Sequence, residues 1–167
     1  MKLSKLQIVS ALSLLLLSTS VSAEAQRAKR LIDEVNPFIG TSNFGTTTPG
    51  AVVPNGLMSI TPFNVSGSPE LNKFDKDKRW WSTPYTADNK FFSGFSHVNL
   101  SGVGCPELGS IIVSASSGDL DVDYTHYGSA MSHEQAHPGY YSVELDKHKI
   151  KAEVTATQRT AISAFTF

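Results

Sequence analysis

Phe95-Ser96-His97-Val98-Asn99-Leu100-Ser101-Gly102-Val103-Gly104-Cys105-Pro106 places the only cysteine of the chain and a histidine in one glycine-rich stretch. Imidazole and thiol are side chains that exchange protons and bind metals near neutral pH. Gly102 and Gly104 bracket Val103 and permit close approaches that a Cβ would forbid, while Pro106 fixes the direction of exit. The segment reads as a loop holding polar groups toward a ligand, not as core. His97 and Cys105 match no zinc spacing and have no partner cysteines. As a nucleophile Cys105 would need a nearby base, which the sequence does not identify. A structural or ligand-contacting cysteine is the simpler reading.

Lys78-Arg79-Trp80-Trp81, with Tyr85, Phe91 and Phe92 nearby, is an aromatic segment in polar surroundings. Trp80 or Trp81 could stack on the apolar face of a sugar in a concave pocket; as neighbours on a strand they would point to opposite faces. Packing under a long loop is the alternative. Glycines at 40, 45, 50 and 56 mark tight turns whose N–H groups could meet an oxygen-rich ligand. The stretch has neither the lysine of a phosphate loop nor the strand, glycines and helix of a dinucleotide fold.

His133-Glu134-Gln135-Ala136-His137 formally spells a zinc-protease motif, but that chemistry needs a continuous helix, and Pro138-Gly139 follows at once. Asp119, Asp121 and Asp123 alternate with Leu120 and Val122, so a strand there would present the carboxylates on one face. Calcium could sit against such a face, although an exposed acidic surface explains it as well. Glycosidic hydrolysis requires two carboxyl groups flanking the bond. Glu107 and Glu134 are the loop acids to nominate, and nothing in the sequence pairs them.

The elements that must position these residues are strands. Residues 1–23 combine Lys2 and Lys5, an apolar run from Ile8 to Leu17 and a small-residue end at Val21-Ser22-Ala23, the pattern of a cleaved secretory signal with secreted or periplasmic export as its consequence. Residues 24–34 are a charged lead-in. Acidic side chains outnumber basic ones, 15 to 14, and the excess grows once the two leader lysines are removed. With no basic patch interleaved with aromatics, the composition argues against a nucleic-acid partner. A single cysteine allows no internal disulfide. Gly, Pro, Asn, Ser and Thr dominate from Val35 to Leu108, predicting short strands joined by long ordered loops. Strands are then expected at Ser110–Ala115, Leu120–Tyr124, Tyr140–Asp146, Ile150–Thr157 and Thr160–Phe167, the clearest being the strict alternations around Val143 and Ala152. The fold class is all-β: an antiparallel β-sandwich with long ordered loops over residues 35–167. The closing strand, with two phenylalanines on one face, would need a cover. The chain is therefore expected to be the N-terminal piece of a longer protein, with the domain incomplete.

With these residues in view, the sequence resembles the N-terminal domain of glycoside hydrolase family 92, the exo-acting alpha-mannosidases. The markers are Val35-Asn36-Pro37-Phe38-Ile39-Gly40-Thr41, Pro49-Gly50-Ala51, Gly94-Phe95-Ser96-His97, Leu100-Ser101-Gly102-Val103-Gly104-Cys105-Pro106, Ser132-His133-Glu134, Pro138-Gly139-Tyr140-Tyr141 and Thr155-Ala156-Thr157-Gln158-Arg159. The resemblance implies a supersandwich-like N-terminal domain packed on an (α/α)6 catalytic domain that this chain lacks. It implies an inverting, calcium-dependent enzyme that takes terminal alpha-linked mannose from N-glycans or mannans. It further implies that the acid, base and calcium ligands lie outside this chain. The substrate-binding contributors are then Phe38, Gly40, Trp80, Trp81, His97, Gly104 and Cys105, with no catalytic residue among them, and the chain alone is expected to be inactive. A stand-alone carbohydrate-binding module or a structural sandwich remains the alternative.

Overall fold

The computed structural model describes residues 30–42, 45, 47–64, 66–68, 73–76, 84–99, 109, 111–121 and 126–167. The leader pattern of residues 1–23 lies outside them. The chain divides into two compact units, Met1–Glu34 and Val35–Phe167. In the first, a 3-10 turn spans Leu31–Glu34 and Arg30 pairs with Asp33 at 3.0 Å. No described helix is long and apolar enough to cross a membrane.

The second unit is built of antiparallel strands, as the sequence predicts. They are β1 (Ala51–Val52), β2 (Ser59–Phe63), β3 (Ser66–Ser68), β4 (Lys73–Lys76), β5 (Phe91–Phe92), β6 (Gly94–His97), β7 (Ile112–Val113), β8 (Ser129–His137), β9 (Tyr140–Leu145), β10 (Ile150–Ala156) and β11 (Ala161–Thr166). One sheet has the order β1-β2-β6-β7, a second β11-β10-β9-β8-β5, and β3 pairs with β4.

Alternation along β9 and β10 sets the core. Tyr141, Val143 and Leu145 of β9 lie opposite Val154, Ala152 and Ile150 of β10, and all six are buried. Their polar neighbours face outward, because successive residues of a strand point to opposite faces. The first sheet contributes Ala51, Ile60 and Phe95 to the same core. The Phe95 ring lies 4.9 Å from Phe92, 6.2 Å from Tyr141 and 6.4 Å from Phe165, edge-on or tilted to each. One side chain of β6 thereby touches β5, β9 and β11, and the two sheets form a sandwich.

Three expectations change. The segment read as loop from Phe95 opens as strand β6, with Phe95 and Ser96 fully buried; a small sheet covered on both sides can carry polar residues inward. The strand expected over Ser110–Ala115 shrinks to Ile112–Val113. Residues 118–121, with Asp119 and Asp121, are an exposed bend and coil, so the strand expected from Leu120 does not begin there; its remainder, Asp123 included, lies outside the described residues. Strand β8, which the sequence did not announce, carries a bulge between Ser132 and Gln135.

Candidate functional site

The base of the His97 loop is built on β2 and β6. Ser59 and Thr61 of β2, with Ser96 of β6, form a polar row on the face turned away from the core; all three are buried. Asn99 settles onto this row: its N–H donates to Ser59 Oγ at 2.8 Å, its Oδ1 accepts from Ser96 Oγ at 3.0 Å, and its Nδ2 donates to Ser96 O at 3.1 Å. Val98, just before it, holds φ at 56°, a left-handed conformation that costs a β-branched residue about 1–2 kcal/mol or more. The hydrogen bonds of Asn99 hold that strain in place. The chain returns at Gly109, where a Cβ would stand 2.3 Å from Asn99 Oδ1, so only glycine closes the base. Nδ1 of His97 lies 3.0 Å from Ile111 O. A carbonyl only accepts, so Nδ1 carries the hydrogen and Nε2 of the neutral ring is an acceptor.

The Phe38–Gly40 turn is built on the same sheet. Asn36 Oδ1 accepts from Phe38 N at 3.0 Å, and Thr41 Oγ1 donates to Phe38 O at 2.8 Å. Gly40 has φ +80°, and a Cβ there would stand 2.9 Å from Thr47 Oγ1. Thr47 Oγ1 donates to Ile39 O at 2.7 Å, and Thr48 Oγ1 to Thr61 Oγ1 at 3.2 Å. The side chain of Phe38 packs, half-buried, against the core. Thus the two glycine-rich segments meet over β2, one on Thr61 and the other on Ser59. Ala87 N donates to Thr41 O at 2.8 Å, adding residues 84–89 to the assembly.

Glu134 is strand, not loop. It lies within a bulge between Ser132 and Gln135, where His133 has φ 51°, and the bulge turns its carboxylate inward. Tyr85 and Tyr141 donate to Oε2 at 2.7 and 2.9 Å, and Lys90 Nζ pairs with Oε1. Burial, and then the negative charge of Glu134, push both phenol pKa values well above the ordinary tyrosine value. Both hydroxyls therefore stay donors across the working range of pH. Three donors on a carboxylate whose side chain is only 8% exposed make a structural clamp, not an acid aimed at a glycosidic bond.

The zinc-protease helix does not form. His133 points from the bulge to Glu144 Oε2 at 3.1 Å, and His137 stacks on Tyr140 with ring centroids 4.6 Å apart. Among the described residues no three His, Cys, Asp or Glu side chains converge as a metal site. These residues do not fit the calcium that the family resemblance implies. Of the predicted sugar contacts, Phe38, Gly40 and His97 are anchored on one sheet; Trp80, Trp81, Gly104 and Cys105 lie outside the described residues, as does Glu107. Sequence reasoning passed over Asn64, Asn99 and Glu134 as positioning groups. The available signal for the asparagines was their place at strand ends before Ser/Gly-rich stretches, where Asn side chains bond to backbone.

A profile of the glycosyl hydrolase family 92 N-terminal domain matches residues 34–167. A family GH92 alpha-mannosidase from Bacteroides thetaiotaomicron overlays with a TM-score of 0.69 at 33% identity, over 83% of this chain and 19% of that one. The same mannosidase in complex with mannoimidazole gives 0.70 at 33% identity, over 83% and 18%. An uncharacterized secreted glycosidase of Arthroderma benhamiae is 29% identical over an alignment of 165 residues that covers 93% of this chain and 20% of that protein. The chain spans about a fifth of the length of the proteins it matches.

Proposed function

The chain belongs to the glycosyl hydrolase family 92 N-terminal domains, and from that premise we propose that it is the N-terminal β-sandwich of a secreted or periplasmic glycosidase. The intact enzyme hydrolyses terminal alpha-linked mannose from N-glycans or mannans with inversion. The observation that carries this reading is the 33% identity and TM-score of 0.69 to an alpha-mannosidase. The name of the Arthroderma relative, a secreted glycosidase, supports export.

In this reading the domain supplies pocket walls and the missing C-terminal part supplies the acid and base. The Phe38–Gly40 turn, Trp80, Trp81, His97, Gly104 and Cys105 face the sugar. His97, with Nδ1 committed to Ile111 O, accepts a sugar hydroxyl at Nε2. The tryptophans stack on the apolar face of a ring. Inverting hydrolysis needs a carboxylic acid at the leaving oxygen and a carboxylate that activates water on the opposite face. In this reading both carboxyl groups lie outside this chain, and the fragment alone is inactive. Incubation of the intact enzyme and of the purified fragment with alpha-linked mannobiose tests this directly. Mannose released by the intact enzyme alone is the expected result; release by the fragment, or by neither on any alpha-mannoside, overturns it.

A further inference from the structure

Asn64 directly follows β2 and is fully buried. Its Nδ2 donates to Thr86 O at 2.7 Å and to Asn89 O at 2.5 Å, and its Oδ1 accepts from Thr86 N at 2.7 Å. Its backbone N–H donates to Pro84 O at 2.9 Å, and its carbonyl accepts from Asn89 Nδ2 at 2.7 Å. Every polar atom of this residue is committed to residues 84–89. A buried amide is costly unless satisfied in this way, and once satisfied it fixes direction as an apolar side chain does not.

Two consequences follow from where those bonds run. Asn64 and Pro84 flank residues 65–83, so one residue joins the two ends of the stretch whose sequence includes Trp80 and Trp81. On its far side the 84–89 segment holds Thr41 O through Ala87 N, and Thr41 holds Phe38 O. We propose that Asn64 is a positioning residue of the sugar pocket: without touching mannose, it holds residues 84–89 in the place from which they set the Phe38–Gly40 turn. The proposal rests on the reading of Phe38 and the tryptophans as sugar contacts given above.

The test is steady-state kinetics of the intact enzyme on an alpha-mannoside. Asn64→Asp keeps size and the Oδ1 acceptor but turns both Nδ2 donors into an oxygen facing two carbonyls. It is expected to raise KM about tenfold while kcat stays within about threefold, the pattern of lost binding geometry. Asn89→Asp exchanges the single donor to Asn64 O for an oxygen, leaves both Asn64 Nδ2 donors in place, and serves where the first variant folds poorly; its effect runs the same way and is smaller. Phe38→Ala and Trp80→Ala report on the pocket itself. If they raise KM while both asparagine variants keep wild-type KM, the positioning role is overturned and the pocket reading stands. A lower thermal midpoint with reduced kcat and unchanged KM marks Asn64 as scaffold only and equally overturns the proposal. If neither Phe38→Ala nor Trp80→Ala moves KM, the pocket reading fails and the proposal fails with it.

Discussion

A carboxylate as enclosed as that of Glu134 must be met by donors, and the three that meet it belong to Tyr85, Tyr141 and Lys90. Removing one hydroxyl leaves the charge less compensated, so Tyr141→Phe should cost about 1.5–3 kcal/mol in urea unfolding. The same pair gives a dependence on pH. Both folded-state pKa values lie above the ordinary tyrosine value of 10.0. Below that pH the folded and unfolded chains hold the same protons at these groups, and the stability they contribute is fully present. Above it the unfolded tyrosines ionise while the folded ones do not, so stability falls as pH rises. Each tyrosine adds a slope of roughly 1.4 kcal/mol per pH unit once its unfolded form is ionised. The Tyr85→Phe/Tyr141→Phe double variant should be less stable at neutral pH yet show a flatter alkaline decline. Equal slopes for the two proteins between about pH 9 and 11 would show that the phenols do not hold their protons in the fold.

Strands β9 and β10 were legible because their inward positions are apolar and their outward ones polar, with no break in parity. Strand β8 was not, and the bulge explains why. Met131 points inward at an odd position, the bulge at His133 shifts parity, and Ala136 then faces the core side opposite Tyr141. Glu134 takes an inward place as a charged residue, so hydropathy gave no sign of a strand. Strand β6 was hidden differently: its second face is covered by the glycine-rich loops, and its buried Ser96 reads as loop composition. The turn glycines were legible as turns, but only contact shows which of them are obligatory. At Gly50 a Cβ would stand 2.2 Å from Thr61 Oγ1 and 2.5 Å from the Ile60 carbonyl. The carbonyl belongs to a central strand and cannot give way. Gly50→Ala should therefore cost about 1–3 kcal/mol and lift the segment carrying Thr48 from β2. In the intact enzyme, KM should rise together with the loss of stability. A variant with wild-type urea midpoint would mean that the loop does not lie on β2.

At the scale of the whole domain, two sheets must be held face to face by a small apolar core, because the outer face of the shorter sheet is occupied by buried polar residues that hold the loop bases. Phe95 is where that demand concentrates. It is the one residue of β6 whose ring reaches Phe92, Tyr141 and Phe165 together, and it is fully buried. The next residue on the same strand, Ser96, holds Asn99 and thus the His97 loop. Core and loop base are consequently joined within two residues, and a cavity on one side is felt on the other. Phe95→Ala should cost about 3–5 kcal/mol, a large fraction of the roughly 5–15 kcal/mol typical of a domain. Phe95→Leu refills much of the volume and should recover most of the loss. Because the loop base rides on β6, the alanine variant of the intact enzyme should also bind an alpha-mannoside more weakly at temperatures where it is still folded, and the leucine variant should bind nearly as well as wild type. If the alanine variant lost stability while KM stayed unchanged, sheet packing and loop placement would be independent, and the pocket would owe its geometry to the asparagine clamps alone.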